Sequence, residues 1–191
     1  MNAKFTSKLK NGKNFYIQYL ENLDQIQDEL STWLLNKSSQ LISHVMPLED
    51  LESLPFTNRE IKKIGNPLRL TYWVVKPNDN IPMHIDGEMK NFGVPLCRLL
   101  IPVLNYKETE TVFYSNSNPN EFEDFKEPNA PLKYVRPKQN TVLKEEERFI
   151  LDTPIWMRID KLHHVKNYSS KTRASFTVFY DMNTQLKYLP T

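Results

Sequence analysis

Cysteine occurs once in this chain, at Cys97, which excludes an internal disulfide and any zinc site built on several thiolates. Glycine is scarce as well, at 4 residues, while proline reaches 13 and aromatic residues 12%. Few glycines beside many aromatic and β-branched runs favour strands joined by proline-punctuated loops. Neither sign of charge dominates: 25 Lys+Arg stand against 23 Asp+Glu, a net charge of +2. That balance gives no reason to expect a nucleic-acid partner, which ordinarily requires a strongly basic face. No stretch approaches the roughly 20 apolar residues that span a bilayer, so no membrane role is expected. The segment Met1 to Asn14 is polar and basic without an apolar run, so no secretory leader is expected and the chain reads as cytoplasmic. What is present, 39% apolar and 25% charged residues in a chain of 191, suits one domain with a real core.

The first part of the chain is mixed and then helical. Asn14 to Leu20 alternates aromatic and polar residues, as a short edge strand does. Asn22 or Asp24 can cap a helix running to about Asn36, because Leu23, Ile26, Leu30, Trp33 and Leu34 recur at spacings of 3 and 4. A second helix is expected from Thr57, with Glu60 as its capping-box partner. From Leu68 onward the pattern is β-rich. Short runs at 68–75, 97–104, 111–115, 148–153, 155–159 and 174–180 are separated by loops holding Pro, Asn or Asp. Such strands without intervening helices predict an antiparallel sandwich or barrel. The Asn-, Pro- and Glu-rich stretch 116–138 reads as a long binding loop, and 87–95 is a second candidate for substrate contact. Residues 1–67 are therefore expected to be a strand and helical support, and 68–191 the core of the same domain.

His84 and Asp86, in the segment PMHIDG, carry the most chemistry. On an extended chain residues two apart point to one side, so imidazole and carboxylate reach a common point while Ile85 faces away. Alone the pattern is weak, since a loop histidine beside a turn aspartate would look the same. The stretch HHVKNYSSKTRAS (163–175) adds a second histidine and the pair Arg173 and Ser175, again two apart on a predicted strand. Arginine binds a carboxylate with a planar fork, and a serine hydroxyl adds a donor. Neighbouring His163 and His164 point to opposite sides, so only one can join the first pair. Two histidines and a carboxylate on one face of an iron leave three open positions, the facial triad of non-haem Fe(II) oxygenases.

The combination resembles the Fe(II)/2-oxoglutarate-dependent dioxygenases, whose pattern is H-x-D, a long interval, a second histidine, then Arg about ten residues on and often Ser two beyond. Here His163 follows His84 by 79 residues, Arg173 follows His163 by 10, and Ser175 comes at +2. The segment also resembles the aspartyl/asparaginyl β-hydroxylase-like group, whose H-x-V-x-N is matched by His163, Val165 and Asn167, and whose R-L-x-x-P-like segment is matched by RLLIP (98–102).

The resemblance implies a mainly β fold with a double-stranded β-helix (jelly-roll) core and N-terminal helices packed on one sheet. It implies Fe(II) held by His84, Asp86 and His163. It also implies 2-oxoglutarate held by Arg173 and Ser175, with Arg98 at its other end, and O2 as oxidant. It selects His163 over His164. The expected activity is hydroxylation of a C–H bond in a small-molecule or peptide substrate, an Asp or Asn side chain among the possibilities, with release of succinate and CO2. The rival reading is a cupin-like metal or small-molecule binding module, which shares the ligands but has no need of Arg173. His44 and Cys97 are expected to be structural. Of Tyr72 and Trp73, one is expected to line the barrel and the other to pack against a helix.

Overall fold

The structure, a computed structural model, describes residues 14–37, 43–86, 97–115, 118–125 and 134–188. Helix α1 (Leu23–Lys37) buries Ile26, Leu30, Trp33 and Leu34, the stripe that the 3- and 4-residue spacing predicts. Its partner is a six-stranded antiparallel sheet in the order β1-β10-β5-β12-β3-β2. These strands are β1 (Phe15–Ile17), β2 (His44–Met46), β3 (Pro67–Val75), β5 (Cys97–Leu104), β10 (Ile155–Arg158) and β12 (Arg173–Tyr180). A second antiparallel sheet, β4-β11-β6-β9, comprises β4 (Asn80–His84), β11 (His163–Asn167), β6 (Thr109–Tyr114) and β9 (Glu145–Phe149). The chain is thus mainly β, a two-sheet sandwich with helices on one outer face.

The two-residue period decides what each face of the larger sheet does. Tyr72, Leu99, Ile101, Ala174, Phe176 and Val178 project towards the helices and join their core. Trp33 stacks on Tyr72 with centroids 5.1 Å apart, and the Tyr72 hydroxyl donates to the Leu30 carbonyl at 2.9 Å. Tyr72 is therefore the helix-facing member of its pair. The alternate residues, Arg98, Leu100, Trp73, Arg173 and Ser175, face the smaller sheet. There Leu100, Ile155 and Met157 meet Phe113 and Phe149 in a second apolar cluster.

Three local expectations are corrected. Helix α2 (Pro55–Ile64) starts earlier than Thr57, and no capping box forms. Thr57 lies inside the helix, and the exposed amides are met from α1: Glu29 accepts from the Phe56 and Thr57 N–H groups at 3.0 and 2.9 Å. Glu60 instead accepts from Lys63 at 2.7 Å and from the Glu21 N–H at 3.1 Å. The strand expected at 148–153 ends at Phe149, where Ile150 turns outward and Pro154 follows shortly. The stretch 116–138 is not wholly loop: β7 (Phe122–Phe125) pairs with β8 (Tyr134–Pro137). That hairpin covers the back of the smaller sheet, where Phe122 and Val135 pack on Ile85 and Leu162. Residues 87–95 and 126–133 lie outside the described residues.

Asn167 clasps the turn between β11 and β12. Its amide donates to the carbonyls of Val75, Lys76 and Lys171 at 3.2, 2.9 and 2.8 Å. Its oxygen accepts from the Ser169 N–H and hydroxyl at 3.1 and 2.9 Å. Truncation would leave several buried polar groups unmet, each worth roughly 1–3 kcal/mol. Asn167→Ala is expected to cost about 3 kcal/mol in urea unfolding. A loss below about 1 kcal/mol, the scale of one ordinary hydrogen bond, would show that the turn is held by other means.

Candidate metal centre

β11 lies beside β4, and the register places His163 directly opposite His84. Cross-strand partners share a face, so the two imidazoles meet with ring centroids 4.4 Å apart. Asp86 stands two residues beyond His84, its N–H bonded to the Ile159 carbonyl at 2.9 Å. One ligand atom from each of His84, Asp86 and His163 lies within 4.8 Å of the others. The His84 Nε2 is 3.6 Å and the His163 Nε2 3.3 Å from the Asp86 carboxylate.

Both histidines are oriented in the same way. His84 Nδ1 meets the Pro82 carbonyl at 2.5 Å, and His163 Nδ1 meets the Lys161 carbonyl at 2.8 Å. A carbonyl only accepts, so each Nδ1 carries the proton and each Nε2 presents a lone pair to the shared point. This backbone-carbonyl support is the usual outer contact of a metal-ligating histidine. The His163 Nε2 and both Asp86 oxygens are buried without a hydrogen-bond partner. Buried orphans of this kind are costly. A small divalent cation would satisfy all of them, so the donor set fits such an ion.

A second group of cations adjoins this cluster. Arg98 Nη2 lies 2.8 Å from Asp86 Oδ2, an ion pair by distance although its angles fall outside hydrogen-bond geometry. The Arg98 guanidinium lies over Trp73, 5.7 Å from the ring centre. Arg173 is 2% exposed, its Nε is buried without a hydrogen-bond partner, and it makes no ion pair among the described residues. A narrow cavity of about 10 Å³ joins the two arginines and His84, walled by Trp73, Ile81, Leu100, Met157, Val165 and Ser175. Two buried guanidiniums thus stand near a single carboxylate, which pairs with Arg98 alone. The imbalance suits a dianion.

Burial sets the protonation states. It pushes His84 down to about 3, helped by the neighbouring His163. Burial and then the repulsion of Arg98 bring Arg173 down to about 10. Burial opposes the charge on Asp86, but Arg98 and the two imidazoles hold its carboxyl well below the usual range. On the opposite face, burial and nearby Lys166 lower His164 to about 4, and its Nδ1 pairs with the Tyr114 hydroxyl at 2.9 Å.

Folding thus keeps His84 and His164 neutral, whereas both titrate near 6.5 when unfolded. Their contribution is fully present above that value and is lost as pH falls towards the folded values. Between pH 7 and pH 5 the metal-free chain is expected to lose about 2–4 kcal/mol in urea unfolding, the upper figure discounted for the partial exposure of His164. A flat profile over that interval would contradict neutral burial of both rings.

The six residues singled out from the sequence, His84, Asp86, His163, Arg98, Arg173 and Ser175, fall around one inter-sheet space. His164 points away from it towards Tyr114. Of Tyr72 and Trp73, Trp73 is the cavity-facing aromatic. One contributor was not anticipated. The segment 159–162 supplies the Ile159 carbonyl for Asp86 and the Lys161 carbonyl for His163. Arg158 braces this segment by pairing with both oxygens of buried Asp160. Every residue carries a backbone carbonyl, so these acceptors leave no residue-type signal in the sequence.

The fold has known counterparts. The chain is similar to a prolyl-4-hydroxylase from Pseudomonas putida, with a TM-score of 0.51 and 10% identity over 93% of this chain and 97% of that one. It is also similar to AviO1 from Streptomyces viridochromogenes, with a TM-score of 0.49 and 12% identity over 93% of each chain. No protein-family model and no curated protein sequence matches it. At such identity the first likeness is one of fold: the chain is an antiparallel β-sandwich of the architecture that hydroxylase adopts. Among the described residues no helix is long and apolar enough to cross a membrane.

Proposed function

We propose that the chain is an Fe(II)- and 2-oxoglutarate-dependent dioxygenase built on a double-stranded β-helix core. It hydroxylates a C–H bond of a peptide side chain, free amino acid or small metabolite and releases succinate and CO2. The observation that carries this reading is the union of a His84/Asp86/His163 cluster with an adjoining buried slot lined by two arginines. A cupin-like binding module accounts for the first part but gives Arg173 nothing to do. The fold shared with a prolyl-4-hydroxylase supports the same direction.

When bound, iron and its oxo-acid partner supply the oxidising chemistry. The chain supplies placement. His84 and His163, locked by backbone carbonyls, offer Nε2 lone pairs, and Asp86 adds a negative oxygen. Arg173 and Ser175 hold the distal carboxylate of the co-substrate, and Arg98 stands at the metal end. Trp73, Ile81, Leu100, Met157 and Val165 keep the slot dry, which strengthens each of those charge contacts. The H-x-V-x-N likeness speaks for scaffold rather than substrate, since Val165 lines the slot and Asn167 clasps a turn.

Anaerobic addition of Fe(II) and 2-oxoglutarate is expected to produce a weak visible charge-transfer band. Absence of the band together with no calorimetric binding of 2-oxoglutarate would reject the reading. Succinate formation, followed by a mass search for products with one added oxygen atom, then identifies the substrate among candidate amino acids and peptides.

A further inference from the structure

Arg98 stands where a metal's positive charge is needed. Its guanidinium pairs with Asp86, the single carboxylate of the cluster, at 2.8 Å. Its Nε and Nη1 are buried and unpartnered, and its plane lies over Trp73 beside the slot. Resting on the metal-site reading above, we infer that Arg98 is a placeholder cation that couples the two halves of the site. Without an anion in the slot, an incoming divalent ion competes with Arg98 for Asp86. Displacement then leaves the metal, Arg98 and Arg173 as neighbouring buried cations with little to offset them. A dicarboxylate in the slot gives Arg98 another partner and releases Asp86 to the metal. The slot in its present form has room for little more than a water molecule, so a five-carbon diacid must move side chains to enter. Arg98, already lying against the cavity, is the group whose departure from Asp86 opens it.

The coupling is separable from chelation. An oxo acid grips a metal directly, and would tighten metal binding in any case. Glutarate has the two carboxylates but no oxo group. Linkage requires that, if glutarate tightens metal binding by some factor, the metal tightens glutarate binding equally.

The test is calorimetric titration of the whole chain, freed of metal, with Co(II) in the presence and absence of saturating glutarate. For the unaltered chain glutarate is expected to lower the Co(II) Kd at least about fivefold, the low end of ordinary coupling between sites. In Arg98→Gln, Co(II) alone is expected to bind more tightly than in the unaltered chain, and the glutarate effect to fall below twofold. Circular dichroism confirms that the variant is folded, and Arg98→Lys, which keeps the charge but not the fork, is expected to give an intermediate coupling. An unaltered chain that binds Co(II) without response to glutarate overturns the coupling and leaves the metal site standing. Weaker Co(II) binding in Arg98→Gln makes Arg98 a mere support and also overturns it. Failure of the unaltered chain to bind Co(II) removes the metal site itself, and the inference with it.

Discussion

Arg173→Met is expected to make the metal-free protein more stable while it destroys binding of the co-substrate. The two effects have one cause. Arg173 is fully buried, has no counter-charge among the described residues, and is repelled by Arg98. Burying an unpaired cation costs several kcal/mol, and an apolar side chain of similar length removes that cost. A gain of about 2 kcal/mol, or roughly 4–8 °C in Tm for a chain of this size, is expected in thermal unfolding. The same substitution removes one of the two guanidinium forks that line the slot. Losing a buried charge-assisted contact to a carboxylate costs about 2–5 kcal/mol, which is roughly a 30- to several-thousand-fold weaker 2-oxoglutarate Kd. Co(II) binding should survive, because Arg173 is not in the His84/Asp86/His163 cluster. Calorimetry and a melting curve on one sample read both effects. If Tm falls and 2-oxoglutarate affinity is unchanged, Arg173 is a structural residue and its functional assignment is wrong.

That opposition between stability and function explains which parts of the molecule could be read from the sequence. Local periodicity carries information along a strand, so the pairs His84/Asp86 and Arg173/Ser175 were legible from two-residue spacing, and α1 from its 3- and 4-residue stripe. Whatever depends on a partner remote in sequence was not. The cap of α2 comes from Glu29, on another helix, so the local Thr57/Glu60 pattern pointed to the wrong partner. The roles of Tyr72 and Trp73 could be divided but not assigned, because the deciding contact is with Trp33 on a remote helix. The hairpin of β7 and β8 hides in an Asn-, Glu- and Pro-rich stretch because its strands bury little beyond Phe122 and Val135. The Arg98–Asp86 contact joins residues twelve apart in the chain, and nothing in the spacing of RLLIP announces it.

Asp86 tests the charge balance from the other side. Asp86→Asn preserves shape but removes the one negative charge among the described residues that pairs with Arg98 and faces both imidazoles. Two consequences are expected. Co(II) binding should fall by at least about 100-fold, because a neutral amide oxygen is a poor substitute for a carboxylate on a hard or borderline divalent ion. The metal-free chain should also lose about 3–5 kcal/mol in urea unfolding, the usual result of stripping a buried ion pair of one partner. The double variant Asp86→Asn/Arg98→Met separates these effects. Removing the orphaned guanidinium should return most of the lost stability, since an apolar replacement of both partners is often neutral or better. Metal binding should not return with it. A coupling free energy near zero between the two substitutions would mean that Arg98 and Asp86 are independent in solution, and that the charge balance of the slot is set by other groups.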